Sequence, residues 1–155
     1  MSFVISGLPV EDFKPLFALD DDSLAARGVI RLAVVAGSRF PCRVSLRDGE
    51  VGDTVLLLNY AHQPAETPYR SSYAIYVNER AAEAWSGRDT LPPVLLNRPI
   101  ALRAFSDEGM LLGAEVAMDD GLTPAIERQL ATPGAAYIHA HNAAHGCFAA
   151  RIDRA

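Results

Sequence analysis

The sequence predicts an α+β fold, a mainly antiparallel sheet with a few short helices. Apolar and β-branched runs follow one another through turn dipeptides, so neighbouring strands can pair directly as hairpins. Only residues 123–131 have the length and the end signals of a full helix. With 155 residues, 50% of them hydrophobic, the chain is predicted to form one globular domain over residues 1–155.

The first half of the chain is predicted to contain short helices between strands. Asp20 can cap a helical turn, and Gly28 suits the left-handed position just after its end. Residues 79–85 are expected to close as a second helix. The predicted strands are rich in β-branched and aromatic residues and cover residues 29–35, 44–46, 54–60 and 72–77.

The second half is predicted to contain two hairpins and the main helix. Residues 100–105 and 110–118 flank a turn-forming segment, 106–109. Thr123-Pro124 opens the helix with a capping residue followed by proline, and Pro133-Gly134 ends it. The last 20 residues are expected to form the second hairpin.

The register of that last hairpin determines which side chains share a face. Side chains alternate along a strand, so pairing His141 with Cys147 collects the apolar residues on one face: Ile138, Ala140, Phe148, Ala150 and Ile152. The other face would then carry Tyr137, His139, His141, Cys147 and Arg151. Such a density of groups that titrate or coordinate near neutral pH indicates a functional site.

Composition excludes several classes of function. The net charge is -5 and no basic stripe with interleaved aromatics is present, which argues against nucleic-acid binding. The apolar runs are too short to span a bilayer, so no membrane partner is expected. The amino terminus has no secretory pattern, which predicts a soluble cytoplasmic protein whose two cysteines are free thiols.

Three separated motifs resemble a known family. They are Phe40-Pro41-Cys42-Arg43-Val44-Ser45-Leu46, then Leu57-Leu58-Asn59-Tyr60 with His62-Gln63-Pro64 and Pro68-Tyr69-Arg70-Ser71-Ser72, and finally His139-Ala140-His141-Asn142 with Gly146-Cys147 and Ala150-Arg151. Together they resemble the bacterial family called domain of unknown function 1203, over nearly the whole chain. The resemblance implies a single domain of bacterial origin, and it implies no activity, substrate or catalytic residue.

Arginines beside apolar strand residues predict a cleft that binds a small anion. Guanidinium groups match the geometry of carboxylates and phosphates, and Pro64 and Pro68 would restrain a recognition loop. The cleft would place Arg70 and Arg151 in a common pocket. The predicted ligand-binding residues are Arg43, His62, Arg70, Ser71, Ser72, His139, Asn142 and Arg151. Alternatively, these arginines pair with acidic residues or lie on the surface.

Two other hypotheses use the histidine-rich hairpin. A cysteine-dependent enzyme would use Cys147 as nucleophile and His141 as base, although no oxyanion-hole motif accompanies them. A metal-binding protein would use His139 and His141, completed by His62, His145 or Cys147, although no acidic residue in the motif could orient these ligands. No glycine-rich nucleotide-binding loop is present, and the sequence identifies no cofactor.

Overall fold

A computed structural model describes all residues from Met1 to Ala155 as nine strands and three short α-helices. The helices are α1 (Lys14–Phe17), α2 (Asp21–Ala25) and α3 (Leu122–Leu130). The strands are β1 (Phe3–Ser6), β2 (Ile30–Ala33), β3 (Thr54–Gln63), β4 (Ser71–Asn78), β5 (Ser86–Arg88), β6 (Ile100–Phe105), β7 (Leu111–Ala117), β8 (Tyr137–Asn142) and β9 (Phe148–Arg154). None of the helices is long and apolar enough to cross a membrane.

The strands form two antiparallel sheets, so the predicted α+β class is confirmed. The larger sheet has the order β5-β1-β9-β8-β6-β7, and the smaller one has the order β2-β3-β4. Residues of α3 such as Ile126 share one hydrophobic core with Leu102 of β6 and Ile138 of β8. A second core joins the smaller sheet, through Leu56 and Ile75, to segments that include the start of β9.

Most of the predicted elements are confirmed. Both predicted hairpins form. The main helix α3 also forms, but it begins at Leu122, so Thr123 lies inside the helix and does not cap it as predicted. Asp20 caps α2 by accepting a hydrogen bond from the backbone nitrogen of Ser23, and Gly28 has a φ of +70°. Strands β2, β3 and β4 lie where the β-branched content predicts them.

Two predicted elements are wrong, and two strands were missed. Residues 79–85 do not form a helix, because the backbone nitrogen of Trp85 bonds the carbonyl of Val44 and the chain continues directly into β5. Residues 44–46 form a turn instead of a strand: Leu46 donates to the carbonyl of Cys42 and has a left-handed φ of 51°. The missed strands, β1 and β5, pair with each other at the edge of the larger sheet.

The predicted register of the last hairpin is wrong. Pairing His141 with Cys147 would set Ala140 opposite Phe148, whereas Ala140 pairs with Ala150, two residues further along β9. The next pair is His141 with Phe148, so Ala149 is an extra residue in a β-bulge. The bulge turns Phe148 away from the face of Ala150 and into the second core. Phe148 therefore shares a face with the histidines.

The loop between β2 and β3 is fixed against the segment that follows β1. The backbone nitrogen of Leu8 bonds the carbonyl of Arg43 at 2.8 Å. Gly7 allows this close approach, because a Cβ atom at that position would lie 2.1 Å from the carbonyl oxygen of Val44. The loop thus holds Arg43 in a defined position at the junction of the two sheets.

Candidate functional site

A cleft opens where the two sheets meet. Its walls come from the loop 37–43, from strands β3 and β4, from the loop 97–99 and from the tip of the β8–β9 hairpin. The cavity volume is about 740 Å³. Clefts of this size accommodate small organic ligands and cofactors.

The cleft is lined by arginines and by no carboxylate. Its basic side chains are Arg39, Arg43, Arg98 and His145, and the lining contains no aspartate or glutamate. This contrasts with the whole chain, in which 19 aspartates and glutamates outnumber 14 lysines and arginines. Arg39 is exposed and forms no ion pair. Arg98 forms an ion pair with Asp48, in which Nη2 lies 2.6 Å from Oδ2. The cleft is therefore a positively charged region of a negatively charged protein.

Arg43 is the most unusual of these residues because it is buried without a carboxylate. Its side chain is 1% exposed, and its three hydrogen bonds go to the carbonyls of Pro41 and Phe148 and to the sulfur of Cys147. No acidic group lies within ion-pair distance of it. Burial lowers the pKa of Arg43, as expected for a cation removed from water without a counter-ion.

Cys147 lies at the same place in the cleft and receives two hydrogen bonds at its sulfur. Arg43 Nη2 donates at 3.0 Å and Asn142 Nδ2 donates at 3.3 Å. The sequence instead paired Cys147 with His141. His141 Nδ1 lies 2.9 Å from the carbonyl of Gly146, and no hydrogen bond joins His141 to the thiol. The structure therefore provides no general base for Cys147 from His141.

The three histidines His62, His139 and His141 form a separate cluster between the sheets. Their ring centroids lie 5.1 to 6.3 Å apart, and the ring of His62 stacks on Phe148 at 5.5 Å. The Nδ1 atoms of His62 and His139 and the Nε2 atom of His141 are buried without partners. Burial, reinforced by the positive charges nearby, lowers the pKa of His139 to about 3 and that of His141 to about 4.

The comparison with known families assigns the chain to one of them. A family model described as "Protein of unknown function (DUF1203)" matches residues 39–154. The chain belongs to this family. No curated protein and no solved structure matches it. The matched region begins at Arg39 and contains every cleft-lining residue except Gly37. The description of the DUF1203 family names no activity, so function has to be argued from the site itself.

In this DUF1203 chain, the histidine cluster does not have the arrangement of a metal site. No group of three histidine, cysteine, aspartate or glutamate side chains is placed to hold a metal ion. In the strand register, His139 lies between Arg103 on one side and Arg151 on the other. Two neighbouring guanidinium groups repel a cation, so the electrostatics of this face also disfavour metal binding.

Several residues that the sequence predicted as ligand-binding lie outside the cleft. Arg70 is exposed and lies 3.9 Å from Glu66. Arg151 binds Asp153 at 2.8 Å and lies 4.1 Å from the centroid of the Tyr137 ring. The cleft is therefore not built from this pair of arginines, contrary to the prediction. Of the remaining predicted residues, Arg43 and Asn142 line the cleft, and the others do not: His62, Ser71, Ser72 and His139.

Sequence reasoning missed several side chains that do line the cleft. Arg39 and Arg98 lie in connecting segments, where arginine is usually a surface residue. The aromatic lining residues are Phe40, Tyr73 and Tyr76. The available signal was the position of Phe40, which begins the first family-like motif, and of Arg39, which directly precedes it.

Proposed function

We propose that this protein, as a single domain in the bacterial cytoplasm, binds a small molecule that carries a carboxylate or phosphate group in the cleft. The observation that carries this proposal is the lining of three arginines and one histidine without any acidic residue. An anion bound there would supply the counter-charge that Arg43 lacks. Guanidinium groups are well suited to this role because they can donate two parallel hydrogen bonds to one oxyanion.

The three arginines have different environments, which supports a division of roles. Arg43 is held rigidly by its three hydrogen bonds, so little side-chain entropy would be lost when an anion approaches it. Arg98 is likewise held, by Asp48. Arg39 is exposed and unpaired, so it is free to move onto a bound anion.

The first test of the proposal is a thermal melt with small anions, using acetate, citrate and inorganic phosphate at ionic strength matched with sodium chloride. At a concentration about 100 times its dissociation constant, a bound anion should stabilise the fold by roughly 2.7 kcal/mol. For a chain of this length that corresponds to an increase in Tm of about 5 to 10 °C. Arg39→Gln should remove most of the increase.

Arg70→Gln is the matched control, because Arg70 is also exposed to solvent but lies outside the cleft. This variant should keep the full stabilisation. A Tm that no anion raises above the sodium chloride control, or an equal loss in both variants, would contradict anion binding at the cleft.

A second candidate function is covalent chemistry at Cys147. The observation that favours it is the pair of donors, Arg43 Nη2 and Asn142 Nδ2, directed at a sulfur that lines the cleft. Such donors stabilise a thiolate, which is the nucleophilic form of cysteine. Because no carboxylate competes for Arg43, its charge is available to the sulfur.

Alkylation by iodoacetamide at neutral pH tests this candidate. Cys147 is 9% exposed and lines the cleft, whereas Cys42 is 0% exposed and lies outside it, so Cys147 should react at least ten times faster. His141→Gln should leave the rate for Cys147 unchanged, since His141 makes no hydrogen bond to the thiol. Equal and slow labelling of both cysteines would rule out a reactive Cys147.

A further inference from the structure

The cleft contains an aromatic wall as well as its arginines. We define the aromatic wall as Phe40 and Tyr76, whose rings contact each other with centroids 4.6 Å apart and an angle of 31° between the planes. Both residues are only partly buried, although they line a concave site. In β4, side chains alternate, so Tyr76 shares its face with Ala74, which also lines the cleft. Partly exposed aromatic rings in a concave site are available to a ligand.

The size of the cleft indicates a ligand larger than a simple anion. Acetate or phosphate would occupy only a small part of a cavity of about 740 Å³. Most of the aromatic wall would then stay in contact with water, and so would the neighbouring apolar residues Leu57 and Ala74. A ligand with an apolar body would cover this surface, and burial of apolar surface favours binding by about 25 cal/mol for each Å² removed from water.

The chemistry of the wall selects the kind of apolar body. Aromatic rings pair in offset-stacked or edge-to-face arrangements with centroids 4.5 to 7 Å apart, and such pairs contribute roughly 0.5–1.5 kcal/mol beyond the burial of area. A saturated ligand of similar size gains the free energy of burying apolar surface but not the additional free energy of aromatic pairing. The paired rings of the aromatic wall therefore favour a planar aromatic ligand over an aliphatic one.

We infer that the ligand is an aromatic anion: a ring that packs on the aromatic wall and carries a carboxylate or phosphate group that meets Arg39 and Arg43. This inference rests on the proposed function, because it assigns a chemical class to the anion bound in the same cleft. It adds a requirement that charge alone does not impose. The body of the ligand has to be flat and unsaturated.

Binding of four related compounds, measured by titration calorimetry, separates the contributions. The probes are 2-naphthoate, its saturated analogue decahydro-2-naphthoate, the neutral 2-naphthamide and 2-naphthyl phosphate. The dissociation constant of 2-naphthoate should be at least five times lower than that of decahydro-2-naphthoate. The neutral amide should bind at least ten times more weakly than 2-naphthoate. The ratio of the carboxylate and phosphate affinities identifies which anionic group the cleft prefers.

Substitution of Tyr76 tests whether the aromatic wall causes the preference. Tyr76→Leu keeps an apolar side chain and should reduce the preference for 2-naphthoate over its saturated analogue to less than twofold. Tyr69→Leu is the matched control, because Tyr69 is a partly exposed tyrosine outside the cleft. That variant should keep the preference.

The outcomes distinguish the two proposals. Equal affinities for the aromatic and saturated carboxylates, or an unchanged preference in Tyr76→Leu, would overturn the aromatic inference and leave anion binding intact. Binding of 2-naphthamide as tight as that of 2-naphthoate, or no binding of any probe, would overturn anion binding and the aromatic inference together.

Discussion

Replacement of Phe148 by alanine should lower the free energy of unfolding by about 3 to 5 kcal/mol. Phe148 is 2% exposed and belongs to the second core. Its ring stacks on His62 and meets the rings of His139 and His141 edge-on. Truncation would leave a cavity beside three histidines, each of which has one buried ring nitrogen without a hydrogen-bond partner. Neighbouring apolar groups cannot fill this cavity without packing against those polar nitrogen atoms, so most of the cavity cost remains.

Urea denaturation followed by circular dichroism measures this effect. Phe17→Ala is the matched control, because Phe17 packs against the same core but is only partly buried. It should lose less than half as much stability as Phe148→Ala. A Phe148→Ala variant that loses under about 1 kcal/mol would show that the bulge does not place this ring in the core.

Acidification from pH 7 to pH 4 should lower the free energy of unfolding by about 3 to 6 kcal/mol through His139 and His141. Their pKa values in the fold, about 3 and about 4, lie below the value of about 6.5 for an unperturbed histidine. At pH values between the folded and the unfolded pKa, these two histidines bind more protons in the unfolded chain than in the folded one. The stability contributed by the neutral histidines is therefore complete above pH 6.5 and is lost as the pH falls toward 4.

A comparison of pH profiles isolates the histidine contribution. His139→Phe keeps an aromatic ring among the rings of Phe105, Tyr137 and Phe148 but removes the titrating group. Between pH 4 and 6, the slope of its free energy of unfolding against pH should be smaller than the wild-type slope. The difference between the two slopes should be about 1.4 kcal/mol per pH unit, the contribution of one histidine. The exposed His145 provides the control, and His145→Gln should keep the wild-type slope. Identical slopes for His139→Phe and the wild type would contradict the depressed pKa of His139.

The fold class could be predicted because local signals and tertiary structure agree over most of the chain. The turn at 106–109 lies between two strands of alternating exposure, and β7 shows the regular alternation of a half-exposed strand. Asp20 and Gly28 act as the helix signals that their residue types indicate. Where local sequence signals and tertiary contacts disagree, the tertiary contacts determine the structure. Residues 79–85 have a helix-like sequence, but the backbone nitrogen of Trp85 donates a hydrogen bond to the carbonyl of Val44 and no helix forms.

The register of the last hairpin could not be predicted, because alternation carries no information when both faces of a strand are buried. All six residues of β8 are buried, apolar ones toward α3 and histidines toward the smaller sheet. An apolar Phe148 is therefore compatible with either face. The extra residue, Ala149, is small and apolar like its neighbour Ala150, so nothing in the sequence marks the bulge.

The candidate site was only partly predictable, because the same residue type has three different environments. Arg43 is buried beside a thiol, Arg151 is bound by Asp153, and Arg70 is exposed. Arg43 and Arg151 both lie between apolar residues in the sequence, and the distinction between them depends on segments that are distant in the chain. Arg43 bonds the carbonyl of Phe148, which is 105 positions away. Contacts at such separation follow from the docking of the two sheets and have no local sequence signal.

The most direct test of anion binding at the cleft is a titration of the ¹⁵N-labelled protein with phosphate and acetate, followed by backbone amide chemical shifts. The structure predicts that the largest shift changes fall in residues 37–43, 97–99 and 142–147, which line the cleft. Amides near Arg70 and Arg151 should change no more than with sodium chloride at the same ionic strength. Shift changes centred on Arg70 and Arg151, or none above the salt control, would contradict the account.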